Sequence, residues 1–203
     1  MDVYEELSKT GYDHYGSWAL YDVSQDAWDN KTIKTKDVSF EPFAKQLEDP
    51  TVRAKKLNTK VILLGLNWAS RGSVPVPWGN FHDLSSRSRD YKIAYIVKGT
   101  PYEGAYMTDL YKDHSDTKSD KVAKYFNSAE GAEALKKSIS GFQEELDILQ
   151  PTEIICFGGA VFTNLNKLVD KHLLYLDPNK TKIRKTCHYS TARSIDEFKK
   201  DLR

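Results

Sequence analysis

Apolar residues along this chain gather in short unbroken runs, separated by longer stretches in which they recur every three or four positions. The run Val61, Ile62, Leu63, Leu64, Gly65, Leu66 is continuous and rich in branched side chains. That pattern predicts a strand over 61–66, buried on both faces of a parallel sheet. Further strands are predicted over 104–110, over 153–157 (closed by Gly158 and Gly159) and over 182–187. Between them, Ala132, Leu135, Ile139, Phe142, Leu146 and Leu149 give the helical period over 128–149. Pro151 ends that helix, because residues ahead of a proline leave the helical region. A helix is predicted over 160–171, and another starts at Ser194, where Ser194 and Glu197 have capping-box spacing. Ahead of the first strand, residues 40–56 read as one helix with Phe43, Leu47 and Val52 on its apolar side. Strands alternating with helices imply an α/β fold. The expected form is a three-layer α/β/α arrangement with a central, mainly parallel four-stranded sheet. Ligands in such folds sit beyond the carboxyl ends of the strands.

Length adds that one domain over 1–203 is the default, since 203 residues suit a single core. Residues 1–35 carry Tyr4, Tyr12, Tyr15, Trp18, Tyr21 and Trp28 without a clean period. They read as a partly helical extension that packs on the core. The 30 cationic and 29 anionic residues leave a net charge of +1. A globally basic nucleic-acid coat is thereby excluded, while a local basic face is not. Cys156 and Cys187 are too few for a four-cysteine cluster and read as free, buried thiols. No apolar run approaches the roughly 18 residues of a membrane span. The acidic, polar first residues do not resemble a secretory signal, so a cytoplasmic location is expected.

Candidate chemistry lies in the segments that follow the strands. The first strand leads into Gly65, Leu66, Asn67, Trp68, Ala69 and Ser70, and then into a segment containing Asn80, Phe81 and His82. The second contains Thr108, Asp109, Leu110, Tyr111 and Lys112. The third leads into Gly158, and the fourth into His188, Tyr189, Ser190 and Arg193. In order and spacing, over about residues 60–203, these segments resemble the uracil-DNA glycosylase superfamily. That family shows a Gly-x-Asn-Pro loop, a Thr-Asn strand with a following Lys, a Pro-x-x-Ile segment ending in Gly, and a terminal His-Pro-Ser.

The resemblance implies hydrolysis of the N-glycosidic bond of a damaged or non-standard base, as in base excision repair. It implies DNA as partner, no cofactor and a monomer. His188 would stabilise the departing base as a hydrogen-bond donor. Asn67 would position water, which an amide can do without being a general base. Gly65, Leu66, Trp68, Phe81 and Asp109 would form the base pocket, with Phe81 stacking on the extruded base. Ser70, Ser190 and Arg193 would contact DNA, Ser190 at a flanking phosphate.

Each residue also has a structural reading. His188 fits a hydrogen-bonded strand-end histidine, Asn67 a turn former and Phe81 a core side chain. The stretch 112–121 fits a solvated surface. Trp68 and Tyr189 stand where the family has prolines, which stiffen its loops. Asp109 stands where the family has its base-reading asparagine. An ionised carboxylate only accepts hydrogen bonds, whereas an amide also donates; ordinary uracil is therefore not the expected base. A non-catalytic binder of DNA or nucleotides is the second reading. A hydrolase using Ser70 or Cys187 near His188 is the third, without a Gly-x-Ser-x-Gly elbow to support it.

Overall fold

The computed structural model describes residues 2–68, 76–83, 85, 88–112, 114, 116, 118–191 and 194–202. Its first part runs α1 (Val3–Lys9), β1 (Ser17–Trp18), β2 (Asp22–Val23), α2 (Gln25–Asp29), β3 (Val38–Ser39), α3 (Glu41–Gln46) and α4 (Pro50–Lys56). Next come β4 (Asn58–Asn67), α5 (Tyr91–Val97), β5 (Ala105–Tyr111), α6 (Ser119–Phe126) and α7 (Ala132–Leu149). The chain continues through β6 (Glu153–Phe157), α8 (Gly159–Asp170), β7 (Lys182–Thr186) and α9 (Ile195–Asp201).

The apolar run at 61–66 lies inside β4, at the middle of a sheet ordered β1-β5-β4-β6-β7. β5, β4, β6 and β7 are parallel, with Leu63 level with Met107 on one side and Ile155 on the other. The side-chain period of two divides these strands between two cores. Ile62, Leu64, Tyr106, Ile154 and Cys156 pack with residues of α1, α7 and α8. Val61, Leu63, Met107, Ile155 and Phe157 pack with residues of α2, α5 and α9. The result is an α/β fold with helices on both faces of a mainly parallel sheet.

Four strands were expected and all four are present, but the sheet has a fifth. β1 pairs antiparallel with β5, Ser17 with Met107 and Trp18 with Tyr106. The N-terminal segment is therefore part of the sheet rather than only packed on it. Trp18 is 2% exposed and meets the Tyr106 ring edge-on at 5.2 Å. A two-residue strand carries no readable period, which is why the pattern missed it. The single helix expected over 40–56 is two helices. Pro50 begins the second, and Asp49 caps it by accepting the Thr51 N–H at 2.8 Å. The helices α5 and α6 were not anticipated. The capping box at Ser194 and Glu197 is present, with the Ser194 N–H bonded to Glu197 Oε2 at 2.9 Å.

The parallel strands run second, first, third, fourth across the sheet, so the connections change direction between β4 and β6. A crevice opens outside the carboxyl ends of strands at such a point. Among the described residues, no helix is long and apolar enough to cross a membrane.

Candidate active site

A cavity of about 800 Å³ occupies this crevice, within the size range of small-ligand sites. β4 and its end contribute Gly65, Leu66, Asn67 and Trp68. The loop before α5 contributes Phe81, β5 contributes Asp109, and the segment after β7 contributes His188 and Ser190. Ser70 and Arg193 lie outside the described residues.

His188 follows β7 and is half-buried. Its Nδ1 accepts the Ser190 backbone N–H at 3.2 Å and lies 2.8 Å from Ser190 Oγ. A backbone N–H can only donate, so Nδ1 is the bare nitrogen and the neutral ring carries its proton on Nε2. Burial also lowers the pKa of His188 below its ordinary value. The imidazole is thus held neutral with Nε2–H as its donor. Ser190, expected at a phosphate, serves here as the partner of His188. The close approach of this segment to β6 uses Gly158 at φ +102°, where a Cβ would lie 3.4 Å from that of His188.

Asn67 closes β4. Its Nδ2 donates to the carbonyls of Asp116 at 2.9 Å and His114 at 3.1 Å. The amide nitrogen is thereby anchored to the segment after β5, and Oδ1, which has no partner among the described residues, is the polar atom left for a ligand or water.

Asp109 is 5% exposed. Its Oδ2 accepts from Asn80 Nδ2 at 2.9 Å. Asn80 also donates to Tyr15 O at 2.8 Å and accepts the Phe81 N–H at 3.0 Å, so its amide orientation is fixed. Burial pushes the Asp109 carboxyl up to about 7, against the lowering effects of the Asn80 hydrogen bond and the Lys112 charge. Gly65 makes room for this group. A Cβ there would collide with Asp109 Oδ1 and lie 2.9 Å from Phe81 Cζ.

Phe81 is 6% exposed and belongs to the core as well as to the cavity wall. Its φ of +61° is costly for a bulky side chain. The Asn80 bond to its N–H and the Tyr21 hydroxyl on its carbonyl at 3.0 Å hold it there. Tyr189 meets Phe157 edge-on at 5.3 Å and Phe81 at 6.3 Å. The Asp90 carboxyl, itself raised by burial, faces Tyr189 and helps to hold its hydroxyl protonated.

Lys112 corrects the expectation of a solvated stretch. It is 7% exposed and ion-paired with Glu145 Oε2 at 2.7 Å. It also donates to Thr108 Oγ1 and to the Asp109 carbonyl, both at 3.0 Å. Glu145 Oε1 accepts from Tyr106 at 2.7 Å and from Thr108 at 2.9 Å. This buried network fixes the end of β5 from behind. His82 also lines the cavity; burial lowers its pKa to about 3, and its Nε2 donates to Trp18 O at 3.2 Å.

The strand-end motifs pointed to neither Asn80 nor Glu145 as a site residue. The signal for Glu145 was present: Ser138, Phe142, Glu145 and Leu149 share one buried helical face, and a carboxylate there requires a buried partner. Asn80 carried no signal beyond its place beside Phe81. Cys156 is buried, with its thiol pushed up to about 12 by burial, whereas Cys187 is only half-buried. Among the described residues, no group of three or more His, Cys, Asp or Glu side chains is placed to hold a metal. No protein-family model, no curated protein and no solved structure matches this chain.

Proposed function

We propose that this chain hydrolyses the N-glycosidic bond of a damaged or non-standard base in DNA, on a uracil-DNA-glycosylase-like fold. The observation that carries this reading is the state of His188. With Nδ1 saturated by Ser190 and the ring kept neutral, Nε2–H is a preorganised donor beside a cavity of about 800 Å³, which has room for a base. Such a donor stabilises negative charge that develops on a departing base. Asn67 borders the same cavity and orients water through Oδ1, while Phe81 and Tyr189 supply aromatic wall for an extruded base. The reading includes DNA as partner, no cofactor, and a monomer acting in the cytoplasm. It is tested by abasic-site formation on oligonucleotides carrying uracil, hypoxanthine, xanthine, cytosine and alkylated bases, single- and double-stranded. Release of any base by the wild type, abolished in His188→Ala and reduced in Asn67→Ala, is the expected result. No release from the whole panel refutes it.

A second reading, a non-catalytic binder of DNA or nucleotides, draws on Asn67. An amide bonded to two loop carbonyls serves loop structure as well as it serves water. DNA binding without release of any base selects this reading.

A further inference from the structure

We propose that the cavity selects bases that carry a positive charge, the N-alkylated purines and pyrimidines, and that Asp109 Oδ1 is the selecting atom. This rests on the base-cleaving reading above and names its substrate class.

Three observations carry it. The first is the charge around the cavity. Asp83, Asp90, Asp109 and Asp116 line it, against Arg89 and Lys112, and the Lys112 charge is already paired with Glu145. Three of these carboxylates have work of their own. Asp83 Oδ1 accepts the Ser85 N–H, Asp90 Oδ2 accepts the Asp83 N–H and Asp116 Oδ1 accepts the Lys118 N–H.

The second is Asp109 itself. Oδ2 is occupied by Asn80, whereas Oδ1 has no hydrogen-bond partner among the described residues and borders the cavity over Gly65. A carboxylate charge on a side chain only 5% exposed is costly, and burial accordingly pushes this carboxyl up to about 7. A cation seated against Oδ1 removes that cost. The aromatic side chains of Phe81, Trp68 and Tyr189 line the same cavity, and a cation that meets a ring face there gains quadrupole attraction.

The third is the chemistry available. Asn67 orients water but takes no proton, so the site suits a base that leaves easily. With an alkylated base, the water oxygen bonds C1′ as the C1′–N bond breaks. The bond's electron pair neutralises the base cation, and the proton from water passes to solvent. The base departs neutral without a general base or acid, and the neutral His188 donor stabilises the acceptor edge that gains electron density as the cation is discharged.

The test compares base release from oligonucleotides carrying 3-methylcytosine, 1-methyladenine or 7-methylguanine with release from uracil and cytosine controls, for wild type and Asp109→Asn. The variant keeps the shape of the side chain and an acceptor for Asn80, and circular dichroism confirms its fold. The wild type is expected to release alkylated bases about 100-fold faster than uracil, as for a buried charge pair, and Asp109→Asn to lose that preference. Equal or faster uracil release by the wild type overturns the inference and leaves the glycosylase reading standing. No release from any oligonucleotide refutes the glycosylase reading, and binding then decides the inference. Tighter binding of the 3-methylcytosine oligonucleotide than of its cytosine counterpart, lost in Asp109→Asn, upholds it. Equal binding overturns it.

Discussion

Asn80 Nδ2 lies 2.9 Å from Asp109 Oδ2 and fixes that oxygen as an acceptor, so a proton taken up by Asp109 resides on Oδ1. One atom of the cavity therefore changes from acceptor to donor near neutral pH. Burial, Asp90 and Glu145 raise this carboxyl, while the Asn80 bond and Lys112 lower it, for a value of about 7; Tyr189 also faces it. The unfolded chain holds an ordinary aspartate near 3.8. Between about pH 4 and 7 the folded state therefore binds the extra proton, and stability falls as pH rises through that window. Asp109→Asn removes the penalty. Urea unfolding is expected to show the variant more stable than wild type by about 2–4 kcal/mol at pH 8, with little difference at pH 4. A difference independent of pH contradicts this assignment.

His188 supplies a second pH dependence, of opposite sign for function. Its pKa is lowered by burial, and protonation of Nδ1 would set two donors, His188 and the Ser190 N–H, against each other. Base release is therefore expected to persist below pH 6.5, the ordinary histidine value, and to fail only in more acid solution. Nitrogen-15 spectra are expected to show Nε2 protonated and Nδ1 bare at pH 7. Ser190→Ala leaves the backbone N–H in place and is expected to lower the rate by only about threefold to tenfold, one neutral hydrogen bond. His188→Ala is expected to lower it by about 100- to 1000-fold.

What the sequence made legible follows the physics of each element. The strands β4 and β6 show as unbroken apolar runs because both their faces are buried, and α7 shows by its period. Their order alone placed Asn67, Asp109 and His188 at one crevice. The pairing of Ser17 and Trp18 with β5 was invisible, because two residues define no pattern. The pairing of Ser190 with His188 was not legible for a different reason: a hydroxyl two residues beyond a histidine has the same spacing whether it faces a phosphate or the ring. The burial of Lys112 depends on Glu145, 33 residues away, and a local window sees only a lysine opening a polar stretch.

Gly65 is where sequence and site are most tightly joined. Asp109 and Phe81 approach the backbone at a position where any Cβ would strike the carboxyl oxygen. Gly65→Ala must displace one of the two, and both are buried on the far side. Overpacking of this kind costs about 1–3 kcal/mol, readable in the urea midpoint. Ligand binding or base release is expected to drop by more than about tenfold, because the displaced group forms the cavity wall. An alanine variant with unchanged stability and function would show that Asp109 and Phe81 do not sit against Gly65 in solution.

The Lys112–Glu145 pair tests whether the wall behind the site is as interlocked as its hydrogen bonds suggest. Glu145 is wholly buried and takes Tyr106, Thr108 and Lys112 together, while Lys112 reaches forward to the Asp109 carbonyl. Removing one partner leaves an uncompensated charge in the core, at a cost of about 3–5 kcal/mol. Lys112→Met and Glu145→Gln are each expected to destabilise by that amount. The double variant is expected to lose less than the sum, because it leaves no bare charge behind. A double-mutant cycle that is additive within about 0.5 kcal/mol would mean that the two side chains are not paired. Lys112→Met should also raise the Asp109 pKa further, since the lysine is the cation that now lowers it. In the Lys112→Met background, the stability gained by Asp109→Asn should therefore keep growing to higher pH than in the wild type, which links the buried pair to the cavity it supports.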